Sequence, residues 1–192
     1  MREKDFIENK KLAIEKLNEA KKQDKVDKDI IPILDIINSF DEYYTSSSCY
    51  GRIVLLELPA IGDKKNAKFL GKWHRKITKK DFLDALKRSS KGQIWFLAQA
   101  PIIHLFSKDL DSGDKIVKKA VSCGFKNSGF RSIKKNIVIE ITSTERLDCP
   151  IGLDGRFYVD DRHISVLLDS ANEVINRSSK KLKKLLKELN KI

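Results

Sequence analysis

The chain has 192 residues, of which 41% are hydrophobic and 34% are charged. This balance excludes a disordered chain, and the length is enough for one well-filled core. No apolar run approaches the ~20 residues that a membrane-spanning helix needs, so we expect no contact with a membrane. The formal net charge is +12, which favours a polyanionic partner, first of all nucleic acid. Lys/Glu-rich surfaces of hyperthermophile proteins explain the charge content but not this imbalance.

The first quarter of the sequence predicts two helices and then a polar loop. Residues 3–23 place their apolar side chains near one face of a helix, and residues 30–40 predict a second, largely buried helix. The stretch TSSSCYGR follows at residues 45–52. Serines bond to their own backbone and favour turns. We therefore predict a polar loop joined to a buried strand, a common place for binding sites; the alternative is an ordinary serine-rich turn.

Strands and helices alternate irregularly through the middle of the chain. Residues 52–58 and 68–74 predict strands, and a capping-box pattern at Thr78–Asp81 begins a helix that ends near Ser89. The apolar residues 94–97 and 102–106 predict one long strand or two strands interrupted by Pro101. A helix over residues 110–123 is predicted to end at Gly124, since glycine is the favoured residue after a helix.

The last part of the sequence predicts a hairpin, a short strand and a long helix. Residues 125–133 and 136–143 form the hairpin, and residues 156–159 form the strand. A helix runs from Asp161 onward, and residues 178–192 make a basic, amphipathic extension of it. We predict one α+β domain over residues 1–192, with a mixed, mainly antiparallel sheet packed by helices, because the alternation lacks the regularity of a doubly wound fold.

Several familiar kinds of site are excluded by spacing. No G-x-G-x-x-G or P-loop follows a strand, and no His/Cys spacing makes a zinc site, so we predict no metal. The cysteines are odd in number and scattered, which is typical of free thiols in a cytoplasmic protein (Cys49, Cys123 and Cys149). The charged N-terminus has no apolar signal core. We expect a cytoplasmic monomer.

Three polar clusters adjoin predicted strands. They are the serine-rich stretch at 45–52, residues 126–129 and residues 142–146. If they converge, they form a pocket of small hydroxyls with Arg52 at its edge, suited to a ligand that carries carboxylate, ribose and amine groups. His104 lies inside an apolar strand, where it is either a hydrogen-bonded core histidine or a group that handles protons or stacks on a base. Cys49 has no activating base in the sequence pattern.

Four blocks occur in a fixed order along the chain: SSCYGR at residues 47–52, GKW at residues 71–73, and the segments 122–129 and 143–150. Together they resemble one known family, the wybutosine-synthesis methyltransferases that act on phenylalanine tRNA. The block SSCYGR at residues 47–52 resembles the family's S-S-C-x-G-R signature. Residues 71–73 resemble its Lys-Trp strand, residues 122–129 its S-G-F-R-N-S-G segment with lysine for arginine and one extra residue, and residues 143–150 its S-T-x-x-L-x-x-P segment. His104 falls where the family has a histidine. The resemblance covers essentially the whole chain.

This resemblance implies a methyltransferase that uses S-adenosyl-L-methionine and does not have the Rossmann-type methyltransferase fold. Its target is the wyosine-type base 3′ of the anticodon, in the anticodon loop of phenylalanine tRNA. The methyl group goes to the N4 nitrogen of the 4-demethyl intermediate that carries the aminocarboxypropyl side chain. The modified base has to leave its stack to be reached, and basic helices, above all the C-terminal one, grip the tRNA backbone.

The same resemblance suggests roles for particular residues. The expected catalytic residues are His104, Ser48 and Arg52. His104 either accepts the proton lost from N4 or only orders a hydrogen-bond network, while Ser48 and Arg52 hold polar groups, Arg52 being the best candidate for a carboxylate. Trp73 is expected to stack on the base, with a core role as the alternative. The residues expected to bind the cofactor come from all three clusters: Ser47, Cys49, Gly51, Asn127, Ser128, Gly129, Ser143 and Thr144.

Two other functions remain open from the sequence. A non-catalytic tRNA-binding module would show the same salt-sensitive tRNA affinity but would not bind the cofactor. An RNA nuclease that uses His104 would cleave tRNA without any cofactor. Cofactor binding therefore separates the enzyme from both alternatives.

Overall fold

The structure is a computed structural model that describes residues 3–63 and 65–191. The residues outside this description are Met1, Arg2, Lys64 and Ile192. They include the two ends of the predicted domain, residues 1–192, and the last residue of its predicted extension, residues 178–192. Five α-helices are described: α1 (Glu3–Lys22), α2 (Ile31–Ser39), α3 (Lys79–Leu86), α4 (Leu110–Ser122) and α5 (Asp161–Leu189). Nine strands are described: β1 (Tyr43–Cys49), β2 (Arg52–Leu58), β3 (Lys68–Trp73), β4 (Gln93–Gln99), β5 (Ile102–Ser107), β6 (Gly129–Ser132), β7 (Ile137–Thr142), β8 (Arg146–Leu153) and β9 (Arg156–Phe157).

The strands form two antiparallel sheets. The first has the order β1-β5-β7-β6 and the second the order β3-β2-β4-β8-β9, and every described strand pair is antiparallel. The predicted α+β class with mainly antiparallel strands, distinct from a Rossmann fold, is confirmed. The sequence predicted one mixed sheet, whereas the strands are divided between two.

The chain divides into two compact units, each with its own core. The first unit contains the described residues up to Tyr50, Pro101–Thr144 and the residues from Ser179 on. Its core packs one face of the first sheet against α2, α4 and the last part of α5. The fully or almost fully buried side chains of this core include Ile37, Ile103, Leu105, Phe125 and Leu185.

The second unit contains Gly51–Ala100 and Glu145–Ser178. Its core packs the second sheet against α3 and the first part of α5, with Phe82, Phe96, Ile151 and Ala171 among its buried side chains. The rings of Phe82 and Phe96 meet edge to face with their centroids 5.2 Å apart, a favoured arrangement for aromatic pairs.

Local sequence signals placed several elements correctly. The capping box at α3 is present, because Thr78 Oγ1 accepts from the Asp81 backbone N–H while the Asp81 carboxylate accepts from the Thr78 N–H. Gly124 follows α4 with φ +102°, a left-handed conformation that glycine adopts without strain. Pro101 separates two strands, β4 and β5, which lie in different sheets.

Two strands were missed, and both contain residues that are unusual in strands. The stretch predicted to be a loop before Arg52 is strand β1, an edge strand that needs a partner on one side only. Strand β8 contains Pro150, which lies opposite Trp95 beside a register shift between Ile94 and Trp95. Proline is tolerated at such irregularities because no regular ladder bond is lost there.

Within the described residues, no helix combines the length and the apolar character required to cross a membrane.

Two glycines in left-handed conformations allow a test of backbone packing in the second unit. Gly62 has φ +89° and open space where a Cβ would lie, whereas Gly92 has φ +95° and a Cβ there would lie 2.3 Å from the Leu58 carbonyl oxygen. Either alanine substitution lowers the free energy of unfolding by roughly 1–2 kcal/mol, because a residue with a Cβ is strained in the left-handed conformation. We expect Gly92→Ala to cost about 1–3 kcal/mol more than Gly62→Ala, because only it forces backbone apart. Urea unfolding measures the difference; equal losses would contradict the packing.

Candidate functional site

Strand β1 contains a bulge beside the serines of the SSCYGR block. Thr45 pairs with Leu105 and Ser47 pairs with His104, so Ser46 is an extra residue between two regular pairs. Bulges bend a strand and change the direction of its side chains. The serine-rich stretch is therefore an irregular edge strand, and the expectation of a loop was wrong.

Asn38 of α2 fixes the backbone at this bulge. Its Nδ2 donates to Thr45 Oγ1 at 2.8 Å, and its Oδ1 accepts from the Thr45 backbone N–H at 2.8 Å. Both side chains are buried, with exposed fractions of 9% and 6%. Buried amides and hydroxyls are stable when they are paired in this way, so the pair holds the strand at the residue where its register changes.

Strand pairing then brings four side chains into one line across the first sheet. Ser47 Oγ lies 3.0 Å from His104 Nδ1, and His104 Nε2 lies 2.7 Å from a Glu140 carboxylate oxygen. The other carboxylate oxygen of Glu140 accepts from the Arg131 guanidinium. Ser47 pairs with His104 and His104 pairs with Glu140 in the sheet register. We call these four residues the His104 row.

Arg131 occupies a second irregularity, at the far end of the row. Phe130 pairs with Ile139 and Ser132 pairs with Val138, which leaves Arg131 as the extra residue of strand β6. The row therefore runs across all four strands of the first sheet and has an irregular strand at each end. Its members come from distant parts of the sequence, and only the pairing of the strands joins them.

The hydrogen bonds of the row determine the neutral tautomer of His104. An ionised carboxylate only accepts hydrogen bonds, so the proton lies on Nε2 and the lone pair of Nδ1 faces the Ser47 hydroxyl. The Arg131 guanidinium, and to a smaller extent His104, lower the pKa of Glu140, although burial acts in the opposite direction. Glu140 therefore stays ionised. The His104 side chain remains 30% exposed, so the ring is partly accessible from solvent.

A cleft of about 530 Å³ lies between α1 and strand β1 in the first unit. We call it the α1 cleft. Leu12, Ala13 and Leu17 form part of its apolar side, while Lys16 and Lys25 bring positive charge. The remaining lining residues are Asn9, Ala20, Val26, Leu34, Phe106 and the run from Tyr44 to Ser48. Ser47 therefore belongs both to the α1 cleft and to the His104 row.

The aromatic end of the α1 cleft is preformed. The rings of Tyr44 and Phe106 stack with centroids 4.7 Å apart and planes 8° apart. Phe6 of α1 packs on Tyr44 at 5.1 Å. Burial raises the pKa of the Tyr44 hydroxyl, so this ring stays neutral.

Those parts of the three polar clusters that belong to the first unit lie at one end of the first sheet. Strand β1 ends at Cys49, β7 ends at Thr142 and β6 begins at Gly129. Because neighbouring strands are antiparallel, these termini lie at the same end of the first sheet. The same end of the first sheet therefore carries five of the predicted site residues: Ser48, Asn127, Ser128, Ser143 and Thr144.

The hydroxyls at that end differ in their bonding. Ser128 Oγ accepts from the Thr142 N–H at 3.2 Å, and the Asn127 N–H donates to the Thr142 carbonyl at 3.2 Å. These bonds hold the 126–129 turn against β7, and the first of them uses the side chain of Ser128. Ser143 is buried, and among the described residues its Oγ has no hydrogen-bond partner. Thr144 is exposed.

The remaining predicted site residues belong to the second unit. Gly51 is buried with φ +100°. Arg52 is half-buried, and its Nε donates to Gln99 Oε1 at 2.7 Å. Trp73 packs against the second core, and its ring covers Gly71 so closely that a Cβ there would lie 2.1 Å from the indole. These contacts support the core role that the sequence offered as the alternative for Trp73.

Sequence reasoning missed Asn38, Arg131 and Glu140. Glu140 had a readable signal, since it is a lone carboxylate inside the apolar run at residues 138–141, and buried acids are rare unless they are paired. Arg131 and Asn38 had none, because their positions follow from a strand bulge and from the packing of α2.

Comparison with known proteins places this geometry in a family. The family model described as Methyltransferase TYW3 matches residues 8–191. The chain belongs to that family.

Named relatives cover nearly the whole chain. It is 44% identical over 190 residues to the tRNA(Phe) 7-((3-amino-3-carboxypropyl)-4-demethylwyosine(37)-N(4))-methyltransferase 1 of Pyrococcus horikoshii, with 96% of this chain and 97% of the relative covered. The protein of the same name from Pyrococcus furiosus is 45% identical, with 94% and 92% covered. A solved structure of the PH1069 protein from Pyrococcus horikoshii superimposes with a TM-score of 0.94 at 43% identity, covering 98% of this chain and 97% of that one. The family resemblance predicted from four sequence blocks is confirmed.

The role of Asn38 in holding the bulge can be tested directly. Asn38→Ala leaves the buried N–H and hydroxyl of Thr45 unpaired, which typically costs about 1–3 kcal/mol. We expect that loss of stability in urea unfolding, together with shifted NMR amide signals of Ser46 and Ser47. Asn190→Ala, at an exposed site just after α5, is the control and should cost less than about 0.5 kcal/mol. Unmoved Ser47 signals in Asn38→Ala would show that Asn38 does not set the bulge.

Proposed function

We propose that this protein is a tRNA methyltransferase that uses S-adenosyl-L-methionine to methylate N4 of the 4-demethylwyosine-type base 3′ of the anticodon in phenylalanine tRNA. The observation that carries this proposal is family membership across residues 8–191, together with relatives of that name at 44% and 45% identity over almost their whole length. We also propose that it works in the cytoplasm and acts as a monomer.

The α1 cleft fits a methyl donor of this kind. Its volume of about 530 Å³ falls within the range of pockets that hold ligands of this size, roughly 300–1,000 Å³. The apolar side chains of α1 suit an adenine, serine hydroxyls suit a ribose, and Lys16 or Lys25 suits a carboxylate. When bound, S-adenosylmethionine supplies a methyl carbon on a positively charged sulfur, which keeps the bonding electron pair and becomes a neutral thioether.

The protein's own contribution to the chemistry is positioning and proton removal. A neutral ring nitrogen that gains a methyl group must lose its proton, and we assign that proton to His104 Nδ1. Ser47 lies at the boundary between the α1 cleft and His104, so it can orient the reacting groups toward this atom. General-base catalysis of this kind typically contributes about 10²–10⁴-fold in rate.

Other predicted residues keep their proposed roles. Ser48 lies in the α1 cleft beside Ser47 and would bind polar groups of the cofactor. Cys49, Asn127–Gly129 and Ser143–Thr144 of the first unit would complete the cofactor surroundings. We propose that Arg52 binds the carboxylate of the aminocarboxypropyl side chain through the guanidinium nitrogens beyond its Nε–Gln99 bond. For Trp73 we propose a supporting role in the core.

Positive charge would bind the tRNA backbone. The excess of 39 Lys and Arg over 27 Asp and Glu includes four exposed lysines along the end of α5: Lys180, Lys183, Lys184 and Lys187. Phosphate contacts of this type release counterions, so the logarithm of the affinity should fall linearly with the logarithm of the salt concentration.

The proposal is tested with purified protein, S-adenosylmethionine and phenylalanine tRNA that carries the demethyl intermediate. We expect the mass of that one nucleoside to increase by one methyl group, and calorimetry to show binding of S-adenosylmethionine by the protein alone. Already methylated tRNA should gain no further mass.

Arg52→Ala should raise the KM for tRNA, because a charge-assisted bond to the carboxylate is worth about 1.5–3 kcal/mol. Arg156→Ala, at an exposed arginine of β9, is the matched control.

Two outcomes would contradict the proposal. Binding of tRNA without binding of S-adenosylmethionine would identify a non-catalytic tRNA-binding module. Cleavage of the tRNA in the absence of cofactor would identify a nuclease.

A further inference from the structure

We propose that Glu140 and Arg131 are positioning residues that hold His104 in the Nε2-protonated tautomer, so that Nδ1 is the atom that accepts the substrate proton. This inference rests on the proposed methyl transfer and names the residues that prepare its base. Neither residue touches the proposed substrate; both act through His104.

The first support is the geometry of the His104 row. The 2.7 Å contact between His104 Nε2 and Glu140 and the 3.0 Å contact between Nδ1 and Ser47 use both ring nitrogens at once. A carboxylate cannot donate, so Nε2 is assigned as the donor and Nδ1 is left with its lone pair. The opposite tautomer would point the lone pair of Nε2 at a carboxylate oxygen, and the two would repel each other.

The second support is the Arg131–Glu140 ion pair. The Glu140 side chain is only 13% exposed, and a carboxylate at that depth would tend toward the neutral form without a cationic partner. Arg131 donates to the oxygen that does not contact His104. The pKa of Glu140 is lowered as a result, so Glu140 does not take the proton from His104 but stabilises the imidazolium that forms.

The third support is the position of Ser47. With Nδ1 unprotonated, the Ser47 hydroxyl donates to that atom, and the same residue lines the α1 cleft. An incoming N–H group can replace that hydroxyl at Nδ1, or pass its proton through it. The proton leaves N4, Nδ1 gains it, and the partly exposed imidazolium later releases it to water. The charged groups around this path are Glu140 and Arg131 from the sheet and Lys16 and Lys25 in the cleft.

The inference is tested by the tautomer of His104, measured by ¹H–¹⁵N NMR of protein labelled at histidine. The His104 signals are identified as those that disappear in His104→Gln, which separates them from the signals of His74 and His163. We expect protonated Nε2 and unprotonated Nδ1 in the wild-type protein at neutral to mildly basic pH. Glu140→Gln should shift part of the population to the Nδ1-protonated form, because the amide of glutamine can donate as well as accept.

Kinetics with precursor tRNA supply the second measurement. We expect Glu140→Gln to lower kcat by roughly tenfold to hundredfold with the KM for tRNA unchanged, since the base is then in the wrong tautomer for part of the time. Glu140→Asp should recover part of the loss, and Arg131→Gln should lower kcat less than Glu140→Gln. Glu8→Gln, at an exposed glutamate of α1, is the control with the same loss of charge and should match the wild type.

Two results would overturn the inference. One is a wild-type His104 protonated on Nδ1, whether or not the protein methylates tRNA, and the other is an unchanged kcat in a folded Glu140→Gln variant. Thermal unfolding shows whether Glu140→Gln folds. If it does not, the tautomer of His104 in the wild-type protein and the kcat of Glu140→Asp still test the inference. If His104 is protonated on Nε2 as expected but the protein transfers no methyl group, the missing activity contradicts the proposed function and not the tautomer.

Discussion

The paired hydrogen bonds between Asn38 and Thr45 set the register on which the candidate site depends. In a strand, a shift of one residue moves every side chain to the opposite face. With the bulge at Ser46, Ser47 pairs with His104; without it, a neighbouring serine would take that position and Ser47 would point away. A buried amide on a helix therefore determines which hydroxyl reaches the histidine.

From that register, the contacts of Ser47 with His104 and of His104 with Glu140 follow directly. Directly opposed residues on antiparallel strands bring their side chains within contact distance, so Ser47, His104 and Glu140 meet because their strands pair as they do. Arg131 completes the line because β6 is irregular. A partly exposed histidine with one nitrogen bonded to a carboxylate has a defined proton and an available lone pair. That combination suits a general base.

The sequence predicted those elements whose signals are local. The α3 capping box, the end of α4 at Gly124 and the break at Pro101 all depend on residues within a few positions of one another, and the structure has each of them. Strand β1 was missed because serines disfavour strands locally, while its pairing with β5 comes from residues about 60 positions away. The division into two sheets was likewise invisible, since it depends on which strands pair.

For the candidate site, the sequence placed His104 and the polar clusters but not the bonds among them. The ends of three strands do bring Ser48, Ser128 and Ser143 to one end of the first sheet, as antiparallel pairing requires. Ser128 and its neighbours then use their polar groups to hold a turn against β7, which composition alone could not reveal. Family membership is established across residues 8–191.

The most direct test of the account is the rate of a single turnover of methyl transfer in His104→Gln, with cofactor and tRNA affinities measured beside it. If His104 accepts the substrate proton, the rate falls by about 10²–10⁴-fold while both affinities stay within about twofold of the wild type. His163→Gln, at an exposed histidine of α5, should leave the rate unchanged. A His104→Gln rate within about threefold of the wild type would contradict the account, because the expected contribution of a general base is far larger.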